Sequence, residues 1–325
     1  MTLSVHMAKR VLPAAAVGVF MLLLIVRPDY FLNSAARGLL LFASSVLPAI
    51  FPFFFCSSLL TAMGAANSLS RLGARPVGVL FNSPPAGAYV LALSMLSGYP
   101  IGAATLSDLF RRGIVDAEEV KRIASFTSTS GPIFILGTVG SAVFGDPTAG
   151  AVILAAHYLA ALTTGLVFRG RRKASGTSPV RVAAADADSA LQQSIASSTL
   201  AMLAVGGYIV VGNMLIDALA LTGIDALLAS LPDRNAGVCL EALINGAVEM
   251  TRGTMCAARI PSKWLSLGIA SAIVSFGGLS VLMQSHAFLG RCGMPFRSIL
   301  ARKFVQSVAG FAYAALFSLI FFTHY

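Results

Sequence analysis

Two pairs of polar, helix-breaking strings interrupt this chain within stretches that are otherwise strongly apolar. The first pair is SGYPIG at residues 97–102 and SFTSTSGP at residues 125–132. The second pair is EMTRG at residues 249–253 and SFGGLS at residues 275–280. In a membrane, backbone freed by Gly and Pro is tolerated only where protein or a polar cavity surrounds it. Broken helices at matching places in two halves of a chain point to the substrate site of a transporter.

The composition predicts an all-α polytopic membrane protein. Of the 325 residues, 57% are hydrophobic and only 11% are charged, and the mean hydropathy is +0.82. A soluble domain carries roughly 25% charged residues, so this chain has more apolar surface than one globular core can hide. The net charge of +10 is not accompanied by any nucleic-acid-binding motif, and we expect no nucleic-acid partner.

We expect no metal, no disulfide and no cofactor. The four cysteines form no C-x-x-C pair, and the four histidines show no i, i+4 spacing. His157, alone on an apolar stretch, is predicted to be a hydrogen-bonded packing residue rather than a proton relay. The sequence also lacks the strings of serine hydrolases, zinc proteases and P-loops, so the chain is not predicted to be an enzyme.

The apolar stretches and one polar linker divide the chain into four parts. They are a leading transmembrane helix (1–37), a first repeat (38–168), a cytoplasmic linker (169–190) and a second, inverted repeat (191–325). The apolar run at residues 11–26 is consistent with a retained span or a signal peptide, and the lack of a cleavage site favours the span. The prediction is about seven full transmembrane helices plus two re-entrant helical hairpins, at residues 86–110 and 236–258.

The distribution of basic residues favours re-entrant hairpins over ordinary kinked spans. If residues 86–110 enter the membrane and return, and residues 236–258 do so from the other face, most of the 23 Lys and Arg residues lie on one side. This is the positive-inside pattern, and it predicts a cytoplasmic N-terminus and an inverted-topology repeat. Arg302 and Lys303 are then assigned to a cytoplasmic loop before a final span that begins at Phe304.

The breaks contain the candidate substrate-binding residues. Gly98 permits unusual backbone angles, and Pro100 suits the first turn of a returning helix whose free N–H groups attract anions. The hydroxyls of residues 127–130 cover every face of a helix, so an unwound segment beside a polar cavity explains them better than a regular span. The candidates are Ser97, Gly98, Tyr99, Pro100, Thr127, Ser128, Thr129, Ser130, Glu249, Thr251, Arg252, Ser275, Gly277, Gly278, Ser280 and Gln284.

Glu249 and Arg252 allow two interpretations. Because they are spaced i, i+3, they can neutralise each other on one helix face. Alternatively, Arg252 offers its planar guanidinium to a substrate carboxylate, while Glu249 orients it or takes a proton. The sequence does not choose between them, since the repeat does not fix the depth of these residues in the membrane.

The strings at residues 97–103, 122–127 and 275–281 resemble those of the YlbJ-type sporulation integral membrane proteins. These proteins belong to the nucleoside-recognition, or Gate, domain group, and the resemblance covers roughly residues 38–322. It implies a secondary transporter that holds its substrate between two hairpin tips and two unwound helices. In endospore formers it further implies movement of dipicolinic acid, a small planar dicarboxylate, towards the forespore, and a location in the outer forespore membrane.

The predicted function is therefore secondary transport of a small organic anion by alternating access, with dipicolinate as the leading candidate. The expected partners are the anion, the lipid bilayer and a proton or sodium ion as coupling ion. A cation-coupled nucleoside or nucleobase symporter and a non-transporting membrane assembly factor are the alternatives. The sequence gives no indication of the oligomeric state.

Overall fold

The computed structural model describes residues 2–170 and 186–322, and there the chain consists of helices, turns and short breaks. The first half contains α1 (Thr2–Val26), α2 (Pro28–Leu41), α3 (Leu47–Ala62), α4 (Ala65–Phe81), α5 (Ala86–Ser97), α6 (Ile101–Arg111), α7 (Ala117–Ile123) and α8 (Pro147–Val167). The second half contains α9 (Ala187–Ala220), α10 (Ile224–Ala229), α11 (Arg234–Val248), α12 (Met250–Ala257), α13 (Lys263–Phe276), α14 (Gly278–Leu289) and α15 (Phe296–Phe322). Most of the predicted linker (171–185) and the last three residues of the second repeat lie outside the described residues.

The prediction of an all-helical membrane protein is confirmed. Within the described ranges, five helical stretches are long and apolar enough to cross a membrane: Pro28–Ala62, Pro147–Val167, Ala187–Ala220, Lys263–Cys292 and Phe296–Phe322. A sixth is present if α4 and α5, which bend by 99° at their junction, count as one broken span. This is fewer than the prediction of about seven, and the described residues also contain two shorter apolar helical stretches, Ala14–Val26 and Phe134–Val143.

Each predicted string interrupts a helix. Residues 98–100 separate α5 from α6, and residues 127–131 are non-helical between α7 and the π-helical segment Phe134–Val143. In the second half the gaps are a single residue, Glu249 between α11 and α12 and Gly277 between α13 and α14. The unwound segment predicted from four consecutive hydroxyls is therefore present.

The helices pack in two groups with the breaks between them. On one side, the stretch α2–α3 packs against α9. On the other side, α8, α13 and α15 pack together, and Phe134–Val143 packs on α8. The stretch Lys263–Cys292 is the most enclosed, with 83% of its apolar window buried against 22% for Phe296–Phe322. It therefore forms the centre of the molecule, while α15 leaves apolar side chains exposed to lipid.

The final span begins earlier than the hydropathy pattern predicts, and the assignment of Lys303 to a cytoplasmic loop is wrong. Helix α15 starts at Phe296, directly after Pro295, so Arg302 and Lys303 lie about two turns inside it. Lys303 is only 2% exposed. A hydropathy window places charged residues outside a span, whereas here the helix carries them into the protein interior.

Candidate functional site

Breaks from both halves of the chain line one narrow cavity, which we call the central cavity. Its polar lining is Ser97, Tyr99 and Ser130 from the first half and Glu249, Thr251, Ser280 and Gln284 from the second. Apolar side chains complete the wall, among them Ile50 of α3, Val205 of α9 and Phe134 of the π-helical segment. The structure thus brings seven of the predicted residues around one space, although they are far apart in sequence.

The two first-half strings meet at a close backbone contact. Gly98 has φ of +80°, and a Cβ atom there would lie 2.3 Å from the backbone nitrogen of Gly131. Both the positive φ angle and the lack of space for a Cβ atom require glycine at this position. Nearby, Ser97 hydrogen-bonds to Ser57 and contributes to the central cavity. The tip of the α5–α6 pair is therefore packed directly on the unwound segment.

The unwound segment at residues 127–131 is held by side chains that replace its missing helical hydrogen bonds. Ser94 hydrogen-bonds to the Thr127 carbonyl and to the Thr129 hydroxyl, the latter at 2.9 Å. The Ser128 carbonyl accepts from Gln306 Nε2 at 3.0 Å and from the Tyr99 hydroxyl at 3.3 Å. Buried backbone groups need such partners, so these bonds make the unwound conformation possible inside the protein.

His157 joins the broken segments of the two halves. Its Nε2 accepts the backbone N–H of Ser130 at 2.8 Å, and its Nδ1 lies 2.9 Å from the hydroxyl of Ser275. Because a backbone N–H can only donate, Nε2 is unprotonated, so in the neutral ring Nδ1 carries the proton and donates to Ser275. His157 is fully buried and hydrogen-bonded as predicted, but it also connects two predicted site strings.

The second-half strings meet in a similar way. Gly278 has φ of +71°, and a Cβ atom there would lie 2.9 Å from the carbonyl oxygen of Val248 at the end of α11. Gly277, the preceding residue, has φ of +84°. The α11–α12 tip thus packs on the break between α13 and α14, as the α5–α6 tip packs on residues 127–131.

The charges at the second tip are compensated within the protein. The Glu249 carboxylate accepts from the backbone N–H groups of Thr251 and Arg252, at 3.0 and 2.8 Å, and so caps α12. The Arg252 guanidinium instead lies 2.7 Å from Asp217, which also pairs with Arg37 at 2.6 Å. The side-chain pairing of Glu249 with Arg252 is therefore not formed, and Arg252 already has a carboxylate partner.

A second narrow space, which we call the cationic cavity, lies beside the first-half break. It is lined by Ser94, Tyr99, Pro100, Gly102, Ala103, Leu106, Ala124, Thr127, Ser128, Ser285, Leu289, Met294, Ile299, Arg302 and Lys303. None of these lining residues is acidic. Lys303 Nζ donates to the Tyr99 hydroxyl at 2.6 Å, to Gln306 Oε1 at 3.1 Å and to the Ser128 carbonyl at 3.3 Å.

Lys303 is the main site residue that the sequence patterns miss. Its neighbours in sequence are Arg302 and an apolar run, which is typical of a basic loop before a span. Two sequence features could have placed Lys303 inside a helix. Pro295 marks a helix start before the charged residues, and Gln306 shares a helix face with Lys303.

A larger cavity opens next to the breaks, between α3 and α9 on one side and α5, α6 and α14 on the other. We call it the open cavity, and it holds about 1830 Å³ of empty space, including space continuous with the outside. Pro100 and Gln284 lie on its wall, and Asp108, Arg112 and Gln193 are among its polar residues. Gln284 also lines the central cavity, so one side chain borders both spaces.

An ion pair at the ends of two spans connects the two halves of the chain. Lys263, the first residue of α13, lies 2.8 Å from the carboxylate of Asp146, which caps α8. The hydrogen bond from Lys263 lowers the pKa of Asp146 below its ordinary value of 3.8, helped by the backbone N–H groups of α8. Within the described residues, no group of three or more His, Cys, Asp and Glu side chains is placed to hold a metal ion.

Comparison with known proteins finds one clear similarity. The chain is 29% identical over 329 residues to the sporulation integral membrane protein YlbJ of Bacillus subtilis (strain 168), covering 91% of this chain and 78% of that protein. No family model matches the chain, and no solved structure matches it. The resemblance indicated by the broken strings is thus confirmed, and the chain is an integral membrane homologue of the YlbJ sporulation protein.

Proposed function

We propose that this protein is a secondary transporter of a small organic anion, and not an enzyme, working by alternating access between two halves. The observation that carries the proposal is the central cavity, whose polar residues come from the breaks of both halves. In secondary transporters, discontinuous helices at a repeat interface form the substrate site. Irregular backbone inside a membrane region is tolerated only where it is buried in protein or lines a polar cavity.

The order of elements supports an inverted-topology repeat. In the first half, the stretch Pro28–Ala62 is followed by the α5–α6 pair, a break and α8. In the second half, α9 is followed by the α11–α12 pair, a break and α15. Each pair would be a re-entrant hairpin, the first entering from the cytoplasmic face and the second from the opposite face, with the N-terminus in the cytoplasm.

We propose dipicolinate as the substrate, moved during sporulation across the outer forespore membrane. The name of the YlbJ homologue supports a role in sporulation. A planar aromatic dicarboxylate suits hydroxyls, an amide and helix N-termini as binding groups. Seen this way, the open cavity is the access route from the cytoplasm, and Gln284 lies where that route meets the central cavity. The coupling ion, proton or sodium, would bind at the same breaks.

Flux measured in proteoliposomes tests the proposal. We expect uptake of labelled dipicolinate above that of empty liposomes, and a strong reduction in Gln284→Leu because this side chain borders both cavities. Gln192→Leu is the matched control, since Gln192 is exposed on α9 and lines neither cavity.

The same experiment separates the alternatives. Competition by uridine or adenosine, with sodium dependence, would indicate a nucleoside symporter of this architecture instead. No flux of either compound in a correctly folded protein would favour a membrane assembly factor.

A further inference from the structure

The cationic cavity contains two basic side chains whose partners are all neutral. Lys303 Nζ contacts only a hydroxyl, a carbonyl and an amide oxygen, and lies 4.4 Å from the centre of the Tyr99 ring. Arg302 donates to the hydroxyl of Ser125 at 2.8 Å and to the carbonyl of Ser298 at 3.0 Å. Among the ion pairs of the described residues, neither side chain has a carboxylate within 4.0 Å.

An uncompensated buried charge is expensive to keep. A buried ammonium costs several kcal/mol in a protein interior unless an opposite charge offsets it, so buried charges are normally paired. The acidic residue that acts on Arg302 at longer range is Glu118, which is 65% exposed and pairs with Lys121 at 2.6 Å. Lys303 is 2% exposed. The balancing charge for Lys303 is therefore not supplied by the residues around it that the structure describes.

A helix N-terminus adds to the positive potential of the same cavity. Helix α6 begins at Ile101 and has no side-chain cap. Gly102 and Ala103, in its first turn, line the cavity together with Lys303. A Cβ atom at Gly102 would lie 2.6 Å from the Thr127 carbonyl, so glycine keeps this turn close to the unwound segment. First-turn N–H groups and a nearby ammonium both favour a carboxylate.

We propose that Lys303 binds a carboxylate of the transported anion in the cationic cavity, with Arg302 as the second cation. The inference rests on the proposed transport function and specifies its substrate class as a carboxylate, and preferably a dicarboxylate. Tyr99 lines both this cavity and the central cavity, so an anion held by Lys303 remains in contact with the residues shared by both halves. Arg252 has no such role, because Asp217 already occupies it.

Two of the three hydrogen-bonding neighbours of Lys303 keep a partner when Lys303 is replaced. The Ser128 carbonyl still accepts from Gln306 Nε2, and the Tyr99 hydroxyl can still donate to the Ser128 carbonyl. Lys303→Met leaves the Gln306 Oε1 atom without its donor, but it also removes an unpaired buried charge, and the two effects oppose each other. We expect its melting temperature without ligand to stay close to that of the wild type.

Ligand-dependent thermal stability of the purified protein tests the inference. Dipicolinate should stabilise the wild type, whereas pyridine-2,6-dicarboxamide, an uncharged molecule of similar shape, should bind at least about tenfold more weakly. Lys303→Met should lose at least about tenfold in dipicolinate affinity, since a hydrogen bond to a charged group is worth that much. Lys303→Arg keeps the charge and should retain most of the affinity, and Arg297→Gln, exposed on the same helix, should behave as the wild type.

The outcomes distinguish this inference from the transport proposal. Unchanged dipicolinate affinity in Lys303→Met, or equal binding of the dicarboxamide by the wild type, overturns the role of Lys303 whatever the flux. If the wild type transports dipicolinate and Lys303→Met binds it with unchanged affinity, the transport proposal holds and the proposed anion site at Lys303 is wrong. Charge-selective binding without flux supports the anion site and refutes transport. If the wild type neither binds nor moves dipicolinate, both proposals are wrong.

Discussion

The two helix-pair tips share a geometry but differ in how their charges are balanced. At the first tip, α6 begins without a side-chain cap, and the adjacent Lys303 has only neutral partners. At the second tip, the Glu249 carboxylate caps α12, and Arg252 pairs with Asp217. Removing one partner of a buried ion pair is strongly destabilising, whereas an uncompensated cation is available to a ligand of opposite charge. The comparison therefore supports the proposed anion binding at the first tip rather than at the second.

The largest expected effect concerns the close packing at the first tip. Gly98→Ala places a Cβ atom 2.3 Å from backbone and strains a residue at φ of +80°, so we expect a loss of about 3 kcal/mol or more. Gly278→Ala, with its nearest contact at 2.9 Å, should lose about 2 kcal/mol. Gly113→Ala, at φ of +70° with nothing within 4 Å, isolates the backbone strain and should lose about 1 kcal/mol. Thermal unfolding in detergent measures the series, and equal losses in all three would show that crowding at the tips contributes nothing.

The second prediction tests the charge balance of the second tip. Asp217→Asn removes the carboxylate that holds Arg252 and Arg37, and Asp217 is 4% exposed, so we expect a loss of about 3 kcal/mol. Asp108→Asn is the matched control, because Asp108 also pairs with two arginines, Arg111 and Arg112, but at the surface. Its loss should be about 0–1 kcal/mol. If the two variants have the same melting temperature, the ion pairs of Asp217 do not stabilise the second tip.

The third prediction concerns the bridge between the halves. His157→Phe leaves the buried N–H of Ser130 without its acceptor, which should destabilise the protein by about 1–3 kcal/mol. Ser275→Ala removes only the bond to Nδ1 and should lose about 1 kcal/mol. Hydrogen exchange at Ser130 should rise in His157→Phe and stay low in Ser275→Ala. Protection of Ser130 in both variants would mean that His157 does not hold the unwound segment.

The smallest effect is the pH dependence of the Asp146–Lys263 pair. The pKa of Asp146 is lower in the folded protein, so the stabilisation is present above its ordinary value of 3.8 and is lost as the pH falls through the folded pKa. Lys263→Met should lower the melting temperature at pH 6 by an amount equivalent to less than about 1 kcal/mol, because Lys263 is partly exposed. The difference from wild type should shrink below about pH 4. A difference that persists at pH 3 would show that the pair contributes by packing rather than by charge.

Much of the site could be predicted because glycine, proline and hydroxyl residues act locally. Four hydroxyls in a row predict unwinding at residues 127–130, and Gly98 and Gly277 predict interruptions where the structure has them. The ion-pair partners of the charged residues could not be predicted in this way. Arg252 is three residues from Glu249, yet it pairs with Asp217, which is contributed by another helix.

The sequence by itself determined that the chain is a helical membrane protein and where its helices break, since apolar length and backbone freedom are properties of short segments. Only the tertiary structure decided which charges are satisfied. Burial and pairing depend on residues distant in the chain, and they turn Lys303 from a predicted loop residue into the buried cation of the first tip. For the same reason Arg252, which the sequence left as either a partner of Glu249 or a ligand of the substrate, pairs with Asp217.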